Sequence, residues 1–368
     1  MNKFNNSLLA LLTIGLISNI VIGCNGSESG KGQRSDSATA KSGDDNTLLG
    51  AGSTFVYPLF SKLFSEYNKT TNLKVNYQSI GSGGGILQLT NKTVDFGDSD
   101  APMNDEQTKK AGSDVIHIPM CSGAVVLSYN LPELKDTLKL TPEILAAMFM
   151  GKIKTWNDIQ IAKANPGMQL PGTTIVIAHR SDGSGTTNIF TTYLAKVNAD
   201  WNTSPGKGSS INWPAGLGGK GNEGVAGLVK QTPGSIGYIE LSYAIQNKMA
   251  FAKIKNKAGN FITPTVASTS AAGNVQLPAD SKVSLTNTDA ADGYPISGFT
   301  WAIIYKEQKY NGRSSERSKK LVDLLWWNIH EGQKFCEGLN YAKLSPSAVT
   351  IAENILKSAT YEGKPLKQ

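Results

Sequence analysis

Between Gly50 and Leu89 the apolar pattern changes period twice, which restricts the chain to folds that alternate strands with helices. Val56, Leu59, Phe60, Leu63, Phe64 and Tyr67 recur at the spacing of one helix face. Leu73, Val75 and Tyr77 then alternate with polar residues, as a strand does, and Ile86, Leu87 and Leu89 open another helix. Pro58 falls in the first turn of the first helix, where proline is tolerated. Later segments follow the same plan. Thr141-Pro142-Glu143 reads as a helix start and Gly151 as its end. Thr174 to Ala178 reads as an apolar strand, and Ile189, Phe190, Tyr193 and Leu194 as a helix face. Leu321, Leu324, Leu325, Trp326 and Ile329 mark another near the C-terminus. The expectation is an α/β fold in layers, with no internal repeat.

The N-terminal segment carries an address rather than a fold. Lys3 is the only charge in the first 27 residues, and Leu8 to Ile22 is nearly all apolar. This is a signal-peptide h-region, too short to span a bilayer. It ends in Val21-Ile22-Gly23-Cys24, which resembles a bacterial lipobox and implies lipidation of Cys24. Residues 1–23 are therefore expected to be a lipoprotein signal peptide. Residues 24–46, rich in Gly, Ser, Asp and Lys, cannot bury enough apolar surface to offset their ordering and read as a flexible tether. Roughly 320 residues remain, enough for two cores.

Charge and cysteine usage exclude several classes. The formal charge is +7, and subtracting Lys3 with the signal leaves +6. That suits an anionic ligand or membrane surface, while the lack of a Lys/Arg block argues against nucleic acid. Cys121 and Cys336 are expected to be buried thiols rather than a disulfide framework. No CxxC, HExxH or His/Asp cluster supports a metal site. No GxSxG elbow or GxxxxGK[ST] loop is present, and His117, His179 and His330 show no obvious Ser/Asp triad partners in sequence, so neither a hydrolase nor an ATPase is favoured.

Three Gly/Ser/Thr loops fall where strands meet helices: residues 50–55, 81–85 and 181–186. In open α/β sheets ligands sit at the carboxyl ends of strands, facing helix N-termini. Each loop can offer free backbone N–H groups together with hydroxyls, a combination that binds a compact oxyanion. One such loop has the composition of any turn or cap; three together point to a site. The 180–186 stretch adds Arg180, a forked permanent cation, with Asp182 two residues away to hold it, and hydroxyls from Ser184 and Thr186. A surface Arg–Asp pair capping a helix would have the same sequence.

Asp95, Asp98 and Asp100 lie within six positions. They fit a cation site, an N-cap for the segment after Asn104, or one carboxylate aimed at a ligand. The last suits an anion that carries its own proton. Monohydrogen and dihydrogen phosphate can donate to a carboxylate, whereas sulfate at neutral pH cannot. Mismatched polar sites discriminate by about 10⁴–10⁵.

On these residues the chain resembles the phosphate-binding proteins of bacterial phosphate-specific ABC transporters. The matching stretches are GAGSTF (50–55), VNYQSIGSGGG (75–85), VDFGDSDAPM (94–103), MGKIKTWND (150–158), RSDGSGTT (180–187), TTYLAKVN (191–198), WPAGLGGKGNEGVAG (213–227), PGSIGYIE (233–240) and YPISGFTWAIIYK (294–306). The resemblance implies a two-lobed, hinged periplasmic-binding-protein fold of type II, each lobe a mixed sheet flanked by helices. Lobe I would comprise 47–118 and 297–368, and lobe II 119–296. It implies a non-enzymatic, extracytoplasmic and monomeric protein without cofactor. Such a protein binds inorganic phosphate and serves transmembrane permease subunits with a cytoplasmic ATPase. Thr54, Phe55, Ser82, Asp100, Arg180, Ser184, Gly185 and Thr186 would bind phosphate, with Asp182 orienting Arg180. Departures are the placement of Pro58 after the first motif, His179 beside Arg180 and Cys121 near a lobe crossover. A binding protein for sulfate or molybdate, or a surface protein reusing the fold for sensing or adhesion, is the alternative.

Overall fold

The computed structural model describes residues 45–367. The signal peptide, Cys24 and nearly all of the tether expected at residues 24–46 lie outside them. Within them the chain builds a nine-stranded mixed sheet with helices packed on it. No described helix is long and apolar enough to cross a membrane.

The first predicted helix forms as Tyr57–Thr71. Pro58 lies in its first turn, Leu59, Phe60, Leu63, Phe64 and Tyr67 are buried, and Asn72 closes it in the left-handed conformation. Phe60 and Phe64 pack their rings on Phe96 and Tyr77 of the sheet. Burying each such ring contributes roughly 1.5–3 kcal/mol. The Ser82–Thr90 helix covers a smaller cluster in which Ile86 and Leu89 meet Ala51, Ile303 and Tyr305.

One half of the sheet carries Thr47–Gly52 parallel to Lys74–Ser79 on one side and to Phe96–Ser99 on the other. The other carries Val176–Arg180 parallel to Ser235–Glu240 and Leu217–Gly219. Two long antiparallel strands join the halves. Val115–Tyr129 pairs with Ser297–Tyr305 as far as Ala124, then with Ser235–Glu240 from Val125 onward. Its register slips by one residue between Thr300 and Trp301, opposite Cys121 and Pro119, so Met120 is the extra residue of a bulge. The carboxyl ends of the two parallel sets converge.

Two expectations shift. The strand expected at Thr174–Ala178 is Val176–Arg180, because its parallel register is set by Ser235–Gly237 and Leu217–Gly219; Thr174 instead makes a lone bridge with Thr155. Trp326 is only half-buried at the margin of the Ser315–Ile329 helix's core face and stacks on His330, with centroids 4.7 Å apart. Thr141 caps the Pro142–Phe149 helix as read, and Gly151 follows it at φ +70°. Cys121 and Cys336 are buried free thiols, with burial pushing Cys336 up to about 12.

Candidate anion site at the convergence of the two strand sets

Ser53, Thr54 and Phe55 leave the first strand, Gly81 and Ser82 the second, and Asp100 the third. Arg180 ends the Val176–Arg180 strand, and Ser184, Gly185 and Thr186 start the Gly185–Val197 helix. All these polar side chains are buried. The loops from the two sets touch. The Gly185 N–H donates to Ser82 Oγ at 3.0 Å, and Gly83 N–H to the Gly183 carbonyl at 2.9 Å. Gly81 adopts φ +86°, and a Cβ there would lie 2.2 Å from Asp182 Oδ2. Both the turn and the approach require glycine.

Arg180 is held as the sequence suggested. Asp182 accepts from its Nε at 2.7 Å and from its Nη2 at 2.5 Å, and from the Gly221 N–H at 3.1 Å. Burial pushes the Asp182 carboxyl up, but the Arg180 fork and the Gly221 N–H overcome this and hold it below its ordinary value. With two of its nitrogens committed, Arg180 directs Nη1 at Thr186 Oγ1, 3.4 Å away. The pair is almost fully shielded, so it is worth more than an exposed one.

Asp95 separates from the other two aspartates, while Asp98 and Asp100 meet at Thr300. Asp95, just before the Phe96–Ser99 strand, forms ion pairs with Arg313 and Arg317 and accepts from the Leu49 N–H. Asp98 is fully buried, with Oδ1 2.8 Å from Thr300 Oγ1. Asp100 sits among the loops: Oδ1 accepts from Ser53 Oγ at 2.6 Å and Thr300 Oγ1 at 2.8 Å, while the buried Oδ2 has no partner. Burial pushes the Asp100 carboxyl up to about 6, against the hydroxyls of Ser53, Thr300 and Ser82 and the charge of Arg180. None of the three caps the helix after Asn104; Asn104 caps it through a capping box with Gln107. Among the described residues no group of three His, Cys, Asp or Glu could hold a metal.

Some donors have local acceptors. The Phe55 N–H gives to Ser53 Oγ at 2.9 Å. The Ser184 N–H gives to the Ser209 carbonyl, and Ser184 Oγ caps the helix by accepting from the Thr187 N–H, so Ser184 offers its hydroxyl proton. Three contributors escaped the sequence reading. Asn222 brings its N–H and side-chain amide to Thr54 Oγ1, at 3.0 and 2.8 Å, and the same amide to Thr186 Oγ1 at 3.2 Å. Ser53 links Phe55 to Asp100, and Thr300 braces Asp100 from a strand about 200 residues away in sequence. The GKGNEG turn was visible as a glycine-rich helix start, and it was the available signal for Asn222.

Hydroxyls, helix-start amides, one clamped guanidinium and one bare carboxylate oxygen suit a small tetrahedral anion bearing a proton. Comparisons with known proteins agree. Residues 37–324 match the family model of the PBP superfamily domain. The phosphate-binding protein PstS of Xylella fastidiosa strain Temecula1 is 41% identical over 354 residues, covering 94% of this chain and 96% of that protein. PstS of Pasteurella multocida strain Pm70 is 43% identical over 307 residues, covering 82% and 88%. A high-affinity periplasmic phosphate-binding protein, solved with phosphate bound, shares the fold at 21% identity, with a TM-score of 0.66 over 84% of this chain and 93% of that one. Structure and comparisons together place the chain in the PstS family of phosphate-binding proteins, two-lobed substrate-binding proteins of the PBP superfamily.

Proposed function

We propose that this chain captures inorganic phosphate outside the cytoplasm and delivers it to an ABC-type importer. The observation that carries the reading is Asp100 Oδ2, a buried acceptor without a partner beside Ser82 and Gly185. Leaving such an atom unpaired costs about 1–3 kcal/mol. A ligand that arrives with an acidic proton removes that cost, and sulfate does not. Thr54, Ser82, Ser184 and Thr186 supply hydroxyl donors, Phe55 and Gly185 supply N–H groups that would turn to the ligand from Ser53 and Ser82, and Arg180 supplies the charged donor. The relatives named PstS support the ligand class.

The lobes divide at 118/119 and 296/297. The bulge at Met120 and the pairing switch at Ala124–Val125 support a hinge in this part of the two long strands. Thr54, Ser82 and Asp100 then belong to one lobe and Arg180 to Thr186 to the other, so closure completes the ligand shell. The chain works as a monomer, tethered by lipid at Cys24, with its permease and cytoplasmic ATPase as partners. It performs no reaction. The family-level match to substrate-binding proteins supports this reading.

Isothermal titration with phosphate, arsenate and sulfate tests the assignment, with Asp100→Asn as the control. Phosphate should bind far tighter than sulfate, and the variant should lose that preference. Tighter binding of sulfate would favour the other-oxyanion reading.

A further inference from the structure

Thr300 Oγ1 stands 2.8 Å from Asp98 Oδ1 and 2.8 Å from Asp100 Oδ1. A threonine hydroxyl carries one proton, so it donates to one carboxyl and can only accept from the other. Asp98 is fully buried and Asp100 nearly so. With both ionised, one carboxylate oxygen would face a lone pair at hydrogen-bond distance where water cannot intervene. The contact is satisfied when one carboxyl is protonated and donates to Oγ1.

The surroundings decide which. Asp100 receives the Ser53 hydroxyl, lies beside Ser82, and is stabilised as an anion by the charge of Arg180. For Asp98 the bond to Thr300 is the only one its carboxyl makes among the described residues, and Oδ2 has none. The titratable groups that face it are Asp100 from the loop just past its own strand, Tyr77 from Lys74–Ser79 and Cys121 from Val115–Tyr129, and no cation is among them. Burial first, and the Asp100 charge second, push its carboxyl well above the usual range.

We infer that Asp98 is a protonated, neutral positioning residue whose Oδ1–H donates to Thr300 Oγ1, so that the single Thr300 proton is committed to Asp100 Oδ1. No proton moves along this chain. It fixes the direction of two hydrogen bonds and keeps Asp100 ionised, with Oδ2 turned to the anion. The consequence for selectivity rests on the phosphate reading above; the protonation of Asp98 does not.

Infrared spectroscopy of the ligand-free protein at pH 7.5 reads the protonation directly. Wild type should show a protonated-carboxyl band that Asp98→Asn lacks, and identical spectra in that region overturn the inference. Should Asp98→Asn fail to fold, Thr300→Val serves: the band should shift in frequency as its acceptor is removed, and an unmoved band overturns it. Binding gives a second readout. Asp98→Leu, which cannot donate to Thr300, should lower the phosphate-over-sulfate ratio at least about tenfold, and Asp98→Asn, whose amide can donate, should restore most of it. An Asn variant no better than Leu overturns the positioning role. A wild type that does not prefer phosphate would sink the phosphate reading while leaving the infrared result to decide Asp98.

Discussion

Gly185 lies so close to Asp100 that a Cβ on it would stand 2.6 Å from both Cβ and Oδ2 of the aspartate. The contact joins a helix start on one strand set to a loop on the other, so glycine is required for closure rather than for the local backbone. Gly185→Ala should leave each half folded, because alanine is well tolerated in a first helical turn. It should weaken phosphate binding at least about 100-fold, roughly 2.7 kcal/mol. Solution scattering should show no compaction with phosphate. Wild-type affinity in this variant would remove the closed geometry from the account.

Asp182 occupies Nε and Nη2 of Arg180 and so aims Nη1. Asp182→Asn keeps the shape but withdraws the charge and one acceptor. The expected loss is about 1.5–3 kcal/mol of phosphate affinity, a factor of about 10–100, for a buried hydrogen bond to a charged group. Calorimetry measures it, and a change below about twofold would mean that Arg180 is positioned by other contacts.

The ordinary protonation of Asp100 near pH 6 gives selectivity a pH dependence. At pH 8 the carboxylate accepts from phosphate and repels sulfate. At pH 5, one unit below its raised pKa, about nine-tenths of the ligand-free protein carries a proton there and can donate to sulfate. Sulfate affinity should rise at least about fivefold from pH 8 to pH 5, and Asp100→Asn should not show the rise. A ratio of affinities independent of pH would contradict the role given to Asp100.

Stability should fall as pH rises from about 6.5 to 8, opposite to the usual trend for carboxylates. Asp98 and Glu240 are buried acids whose pKa burial raises well above the ordinary value. Their stabilising contribution is complete below the unfolded pKa near 4 and is lost as pH climbs toward the folded pKa. Wherever the folded state keeps protons that the unfolded chain has shed, stability falls with pH, with a limiting slope of about 1.4 kcal/mol per pH unit for each group. His117, lowered by burial to about 3, acts with the opposite sign but from about pH 6.5 downward. Urea unfolding at three pH values checks the sign, and Asp98→Asn should remove about half the slope. A rise in stability with pH would refute it.

Local chemistry was legible wherever it stayed local. The face from Leu59 to Tyr67 was readable because its period is helical and its partners are simply the sheet. The loops at 50–55, 81–85 and 181–186 were readable because glycine and hydroxyl residues mark strand-to-helix turns. What was not readable depends on pairing between distant segments. Asn222 reaches Thr54 across 168 positions, and Thr300 reaches Asp98 and Asp100 only because Ser297–Tyr305 lies antiparallel beside Phe96–Ser99. The three aspartates were indistinguishable as letters. Their separate fates follow from the Arg313 and Arg317 side chains near Asp95, the Thr300 strand behind Asp98 and the loops around Asp100. The two-residue shift of the strand ending at Arg180 has the same origin, since parallel register is set by its neighbours.

The central claim is that a buried, ionised carboxylate selects a protonated tetrahedral anion. Competition calorimetry at pH 8, titrating phosphate into the protein with and without excess sulfate, tests it most directly. Phosphate should still hold at least about nine-tenths of the sites against a 1,000-fold excess of sulfate, as expected for discrimination of about 10⁴ or more. Displacement of most of the phosphate by that excess would contradict the account.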